Sequence, residues 1–182
     1  LKNAIEPIPL HTKPKNGPIR LAYISTPHRG LDVLIGAFKA MKLENVELDV
    51  YSSFKLYGWE SQDKDWEPLY NACKETPNVN YHGTVSNEEI RTALQQTHIL
   101  AYPNIYPETG CISVIEAMSA GCVVVCPNLA VLPETCANFA WMYGFVQDKT
   151  EHARKFAYVL KDAIDNFWEA PVQGGLAFQK QY

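Results

Sequence analysis

The stretch that most constrains the fold is residues 98–127, HILAYPNIYPETGCISVIEAMSAGCVVVCP. His98 to Tyr102 is an apolar run closed by Pro103, and Cys122 to Cys126 is another closed by Pro127. Runs this short and this uniformly apolar suit strands buried on both faces. Between them, Ile112 to Ala120 repeats apolar residues at helical spacing, so the unit reads strand, loop, helix, strand. Two strands joined through a helix run parallel, and the polar, glycine-containing loop before the helix is the one part free to carry chemistry.

The rest of the chain repeats that unit. Ile19 to Ser25 reads as a first buried strand, followed by the polar turn Ser25-Thr26-Pro27-His28-Arg29-Gly30. Leu31, Leu34, Ile35, Phe38 and Met41 then mark an amphipathic helix. Val46 to Tyr51 is a second strand, and Trp66, Leu69, Tyr70 and Cys73 trace a second helix. Asn78 to His82 makes a short third strand. Ser86, with Glu89 three residues later, forms a capping box for the helix carrying Ile90, Ala93 and Leu94. Beyond the central unit, Phe139 to Val146 is expected as a sixth, edge-like strand. Ala153, Phe156, Ala157, Leu160, Ile164, Phe167 and Trp168 draw a long helical face.

Alternating strands and helices imply an α/β fold, a doubly wound, Rossmann-like parallel sheet. In the common strand order 3-2-1-4-5-6 the loops leaving strands one and four lie side by side at the switch point, where ligands bind. Those loops are Ser25 to Gly30 and Pro103 to Gly110. Residues 1–18 hold four prolines and little periodicity and read as a linker from a further N-terminal domain. The folded domain is expected over 19–170. Residues 171–182, interrupted by Gly174-Gly175, read as a tail.

Length allows one well-cored domain: 182 residues, 47% hydrophobic and 20% charged. A formal net charge of -4 gives no footprint for nucleic acid. No run approaches ~18 apolar residues, so no membrane span is expected, and the start shows no secretory signal. The implied setting is cytoplasmic. Five cysteines without C-x-x-C pairing point to reduced thiols rather than a disulfide framework or zinc knuckle.

Glu108 and Glu116 flank the start of the central helix. Spacing alone decides little, because Glu67 and Glu75 stand equally far apart on a helix whose apolar face points elsewhere. Context separates the pairs. Glu108 precedes Thr109, Gly110, Cys111 and Ile112, where free backbone N–H groups and the helix dipole attract anions. Glu116 lies roughly 6 Å further along at ~1.5 Å per residue. Arg29 is the strong cation of the first loop, and its guanidinium suits two phosphate oxygens. Arg29, the amides near Gly110 and Glu116 are therefore expected to grip one diphosphate-containing ligand. The alternatives are a surface ion pair for Arg29, a helix-start charge for Glu108 and an exposed helical charge for Glu116.

The run PETGCISVIEAMSAGCVVV resembles the E-x7-E segment in the C-terminal, nucleotide-sugar-binding half of GT-B glycosyltransferases of family 4, also called glycosyl transferases group 1. The resemblance covers roughly residues 19–168. It implies a retaining transferase that moves a sugar from a nucleotide-diphosphate donor, with UDP or GDP as carrier, to a sugar or glycan acceptor held by an N-terminal GT-B domain. It implies no metal and no further cofactor.

By the same resemblance Glu116 takes the ribose hydroxyls, Glu108 takes hydroxyls of the donor sugar, and Arg29 contacts the diphosphate. Ser53 and the turn Gly83-Thr84-Val85 occupy places that enclose the base. Two departures stand out. The usual Gly-Phe-Gly turn after the first Glu is Thr109-Gly110-Cys111-Ile112 here. The usual Gly-Arg after strand one is replaced by Ser25 and Thr26, whose hydroxyls stand in for a charge.

Other functions remain open at this level: a nucleotide-sugar epimerase or phosphorylase-like enzyme on the same fold, or a non-enzymatic nucleotide-binding domain. A dehydrogenase and a P-loop NTPase are disfavoured because neither G-x-G-x-x-G nor G-x-x-x-x-G-K-[ST] occurs.

Overall fold

A computed structural model describes residues 4–9 and 11–179. Six strands form one parallel sheet: β1 (Ile19–Ile24), β2 (Val46–Tyr51), β3 (Val79–Tyr81), β4 (Ile99–Ala101), β5 (Val123–Asn128) and β6 (Trp141–Gly144), in the order β3-β2-β1-β4-β5-β6. This is the doubly wound α/β arrangement expected from the alternation. β1 lies between β2 and β4, with Ile24 opposite Tyr51 and Ala22 opposite Leu100.

The helices are α1 (Leu31–Met41), α2 (Asp63–Glu75), α3 (Asn87–Gln96), α4 (Ile112–Ser119), α5 (Leu132–Cys136), α6 (Lys149–Asp165) and α7 (Ala170–Gln179). α1 touches both α2 and α6 over one face of the sheet, while α3, α4 and α5 follow one another in contact over the other. Covering both faces lets Leu21, Leu48, Ile99, Leu100 and Val125 vanish from solvent. Burying each such side chain removes on the order of 1.5–3 kcal/mol of unfavourable hydration.

The helix ends follow local chemistry. Ser86 Oγ accepts from the Glu89 N–H and the Glu89 carboxylate accepts from the Ser86 N–H, closing both halves of the expected capping box. At the end of α4, Gly121 adopts φ +73°. There the Cys122 N–H donates to Ala117 O and the Gly121 N–H to Met118 O, a paired closure that needs a left-handed residue between helix and strand.

Several expectations shift. β6 is an edge strand but shorter than 139–146. α5 was not expected, because five residues carry too little periodicity to register. Gly174-Gly175 do not break the chain: both lie inside α7, whose Gln179 side chain donates to Met118 O and Cys122 O. The expected tail is thus helical through 179, and 180–182 lie outside the described residues. The expected linker packs as well. Ile8 is buried, His98 Nε2 faces Pro14 O at 2.9 Å, and Lys13 Nζ donates to Leu94 O. Residues 1–3 and 10 of that segment lie outside the described residues. Trp168, expected on the apolar face, stays 37% exposed, while Phe167 is sealed.

His98 is fully buried at the start of β4, its Nδ1 accepting from the Arg20 N–H at 2.9 Å. Burial lowers its pKa below the ordinary 6.5. Burial likewise lowers His152, and burial followed by the Arg29 charge lowers His28. Each is held neutral in the fold, so the unfolded chain binds the extra protons and stability falls as pH drops through 6.5. The shifted carboxylates Asp63, Glu89 and Glu151 are lowered, so their contribution is lost only at more acidic pH. Calorimetric melting is therefore expected to give a flat Tm above about pH 7 and a declining one from 6.5 toward 5. A Tm that rises on acidification across that interval contradicts the assignment.

Candidate functional site

The C-terminal ends of β1 and β2 and the start of α4 enclose a cavity of about 340 Å³, within the range of small-ligand sites. Ser25 and Thr26 line it from the first loop, Ser53 from the second, Gly83, Thr84 and Val85 from the third, and Ile112 and Glu116 from α4. Larger hollows exist, about 610 Å³ between α1 and α6 and about 660 Å³ beside residues 4–9. Neither lies at the strand ends that form the switch point, so the smaller one is the candidate.

Glu116 is 5% exposed on α4, and its Oε1 accepts from Asn87 Nδ2 at 3.2 Å and Arg91 Nη1 at 3.3 Å. Its Oε2 has no partner among the described residues. Glu108 is equally sequestered, and its Oε1 accepts from Arg29 Nη1 and from the Tyr102 hydroxyl, both at 2.7 Å. Again Oε2 has no partner among the described residues. Each carboxylate is anchored through one oxygen and keeps acceptor capacity on the other. The decoys Glu67 and Glu75 are plainly exposed.

Arg29 is half-buried, and its guanidinium lies 5.2 Å from the Tyr106 ring centroid. Burial is the largest single influence and opposes its charge, but Glu108, Tyr102 and Tyr57 together outweigh it and raise its pKa. Arg29 is thus an ion-paired residue, as its alternative reading held, though a largely dry one rather than a surface pair. Its Nε is buried without a partner, as are Thr26 Oγ1 and Ser52 Oγ. Among the described residues His28 Nδ1 in the first loop is orphaned too, and of these residues Thr26 and Ser52 line the cavity, where an outside partner could satisfy them.

The expected residues fall in two groups. Ser25, Thr26, Ser53, Ile112 and Glu116 share the cavity, whereas Arg29, Glu108, Thr109, Gly110 and Cys111 are absent from its lining. The groups meet at the first loop, where Thr26 and Arg29 belong to one short turn and the Arg29 N–H donates to Thr26 O. The amide donors divide in the same way. α4 begins at Ile112, and of the expected amides that of Ile112 lies at the cavity, joined by Ser113, whereas Gly110 and Cys111 are not part of its lining. Thr109 is exposed. Cys111 is buried, and burial pushes its thiol up to about 11, which leaves a neutral, structural sulfur.

Sequence reasoning missed Tyr102, Asn87 and Arg91. Tyr102 reads as one more apolar strand residue. Asn87 and Arg91 stand four apart on α3, a spacing that puts them on one face but does not say what the face meets. The second loop is held by Asp63. Its carboxylate accepts from Ser53 Oγ, Tyr70 OH and the Phe54 N–H at 2.6, 2.6 and 2.9 Å. Partial burial would raise its pKa, yet these bonds prevail and lower it.

The two switch-point loops touch at Gly30. It adopts φ +111°, and a Cβ placed there would meet Pro103 O at 2.1 Å.

A doubly wound parallel sheet with a cleft at its switch point defines a Rossmann-like α/β domain. The family model for glycosyl transferases group 1 matches residues 14–170, and the chain belongs to that family. It is 28% identical over 163 residues to the O-antigen chain mannosyltransferase B of Escherichia coli, covering 88% of this chain and 41% of that one. Its fold is shared with HepE of Anabaena, solved in complex with UDP, at TM-score 0.68, 16% identity and 91% and 44% coverage of the two chains. It is shared also with sucrose-phosphate synthase of Thermosynechococcus elongatus at TM-score 0.69, 17% identity and 92% and 41% coverage. The chain spans less than half the length of these relatives.

Gly30→Ala combines a left-handed backbone with a steric overlap and is expected to cost on the order of 2–4 kcal/mol. That lowers Tm by roughly 10 °C for a domain of this size. A Tm within about 2 °C of the unaltered chain in a thermal melt contradicts the close approach.

Proposed function

We propose that this chain is the donor-binding domain of a retaining GT-B glycosyltransferase, which takes a nucleotide-diphosphate sugar and passes the sugar to a sugar or glycan acceptor held by a partner domain. The observation that carries the reading is the pair of half-anchored carboxylates around the start of α4. Glu116, at the cavity floor, accepts the two ribose hydroxyls through its open oxygen. Glu108, beside Arg29, accepts hydroxyls of the sugar. The base lies among Ser53, Gly83, Thr84 and Val85, and the carrier is UDP or GDP.

The diphosphate lies between these ends, against Thr26, the Ile112 and Ser113 N–H groups and the Arg29 guanidinium. In transfer the bond from the anomeric carbon to the diphosphate oxygen breaks and a bond to the acceptor oxygen forms on the same face. The acceptor proton passes to the departing diphosphate. Preorganised donors stabilise the charge that grows there. Family membership, the mannosyltransferase relative and the UDP-bound structural neighbour support sugar transfer from a nucleotide carrier.

Binding is tested by thermal shift with UDP, GDP, ADP and their sugars, where a ligand at a hundred times its Kd stabilises by about 2.7 kcal/mol. Glu116→Ala is expected to weaken both nucleotide and nucleotide sugar by roughly 1.5–3 kcal/mol, ten- to hundredfold. Glu108→Gln is expected to weaken the nucleotide sugar more than the bare nucleotide. An unchanged Kd for Glu116→Ala contradicts the ribose assignment.

A further inference from the structure

Arg91 reaches two parts of the molecule at once. Its Nη1 donates to Glu116 Oε1 at 3.3 Å, while its Nη2 donates to the backbone carbonyls of Glu6 at 2.8 Å and Pro7 at 3.2 Å. A guanidinium is a rigid planar fork, so one edge cannot move without the other. The same short segment touches α4 again. Ile8 is buried, and its N–H donates to Ser119 Oγ at 2.8 Å, one turn beyond Glu116.

Residues 6–8 therefore bear on α4 at two points, directly at Ser119 and through Arg91 at Glu116. Their hold is separate from that of the residues behind them. Lys13 is fastened to Leu94 O and Pro14 to His98. The hollow of about 660 Å³ lies between residues 4–9 and α4, lined in part by Ile8, Ile115 and Met118. Packing there is incomplete, as expected of an element that separates from its seat at low cost.

We propose that Arg91 is a positioning residue that makes the nucleotide affinity of Glu116 depend on the docking of residues 6–8. With the segment seated, two carbonyls hold the guanidinium against Glu116 and keep that carboxylate turned so that its second oxygen faces the cavity. With the segment displaced, Arg91 loses both carbonyl acceptors and follows solvent, and Glu116 keeps only Asn87. Whatever pulls on the leading segment thereby reaches the donor site, a coupling that is reciprocal: bound nucleotide also tightens the segment.

The inference rests on the ribose role of Glu116 proposed above, and a mutant cycle in the full chain separates the two. Kd for UDP and GDP is measured by calorimetry for the unaltered chain, Ile8→Asp, Ser119→Ala, Arg91→Ala, Arg91→Lys and the pair Ile8→Asp with Arg91→Ala, with Tm recorded for each. Ile8→Asp and Arg91→Ala are each expected to weaken binding about five- to tenfold, at the low end of ordinary coupling. Ser119→Ala should do so by a smaller factor.

Arg91→Lys keeps the charge but cannot span both partners, and should resemble Arg91→Ala. In the Arg91→Ala background Ile8→Asp should add nothing. If Ile8→Asp and Ser119→Ala lower Tm yet leave Kd unchanged, or if the pair is additive, the segment is merely structural and the inference is overturned. If the unaltered chain binds neither nucleotide, the reading of the site falls and this coupling with it.

Discussion

The ligand end of this molecule depends on one close approach. Parallel pairing of β1 with both β2 and β4 makes β1 the point where the sheet changes direction, and the loops leaving β1 and β4 must then share the same space. They do so at Gly30, where the backbone comes so near Pro103 that no side chain fits. That approach brings Arg29 within reach of Glu108, whose positions in the chain are 79 residues apart. It also sets the start of α4 beside the turn that holds Thr26. Sheet topology, rather than any local motif, brings the charges together.

What the site can do follows from how its carboxylates are held. A buried carboxylate is costly unless hydrogen-bonded, and here each spends one oxygen on that need: Glu108 on Arg29 and Tyr102, Glu116 on Asn87 and Arg91. The remaining oxygen of each keeps its acceptor capacity on a side chain that is already anchored. Preorganisation of this kind avoids an ordering cost on binding. The orphaned hydroxyls of Thr26 and Ser52 and the orphaned Arg29 Nε belong to the same picture. Among the described residues these are donors and acceptors without internal partners, which is what the proposed nucleotide-sugar reading requires of this end of the sheet.

Much of this was legible from residues alone. Helical period located α1, turn chemistry located the cap at Ser86, and uniform apolarity located the inner strands. The E-x7-E segment singled out Glu108 and Glu116 over their exposed look-alikes. What stayed hidden depends on long-range neighbours. Tyr102 reads as strand filler until the chain folds its hydroxyl onto Glu108. Arg91 reads as a solvated helical charge until Glu6 and Pro7 are laid against it. The leading segment looked like a free linker because proline-rich chain has no period, yet its carbonyls and Ile8 find partners on α3 and α4. The split between Arg29 and the main cavity was equally invisible, since spacing cannot show which way a guanidinium turns.

The central claim is that a nucleoside diphosphate lies across the switch point with its ribose on Glu116. The most direct measurement is a crystal structure of this chain soaked with UDP or GDP. The account predicts both ribose hydroxyls within about 3.2 Å of the Glu116 carboxylate and phosphate oxygens at the Ile112 and Ser113 amides. A nucleotide seated between α1 and α6, or one at the switch point whose ribose makes no contact with Glu116, would contradict it.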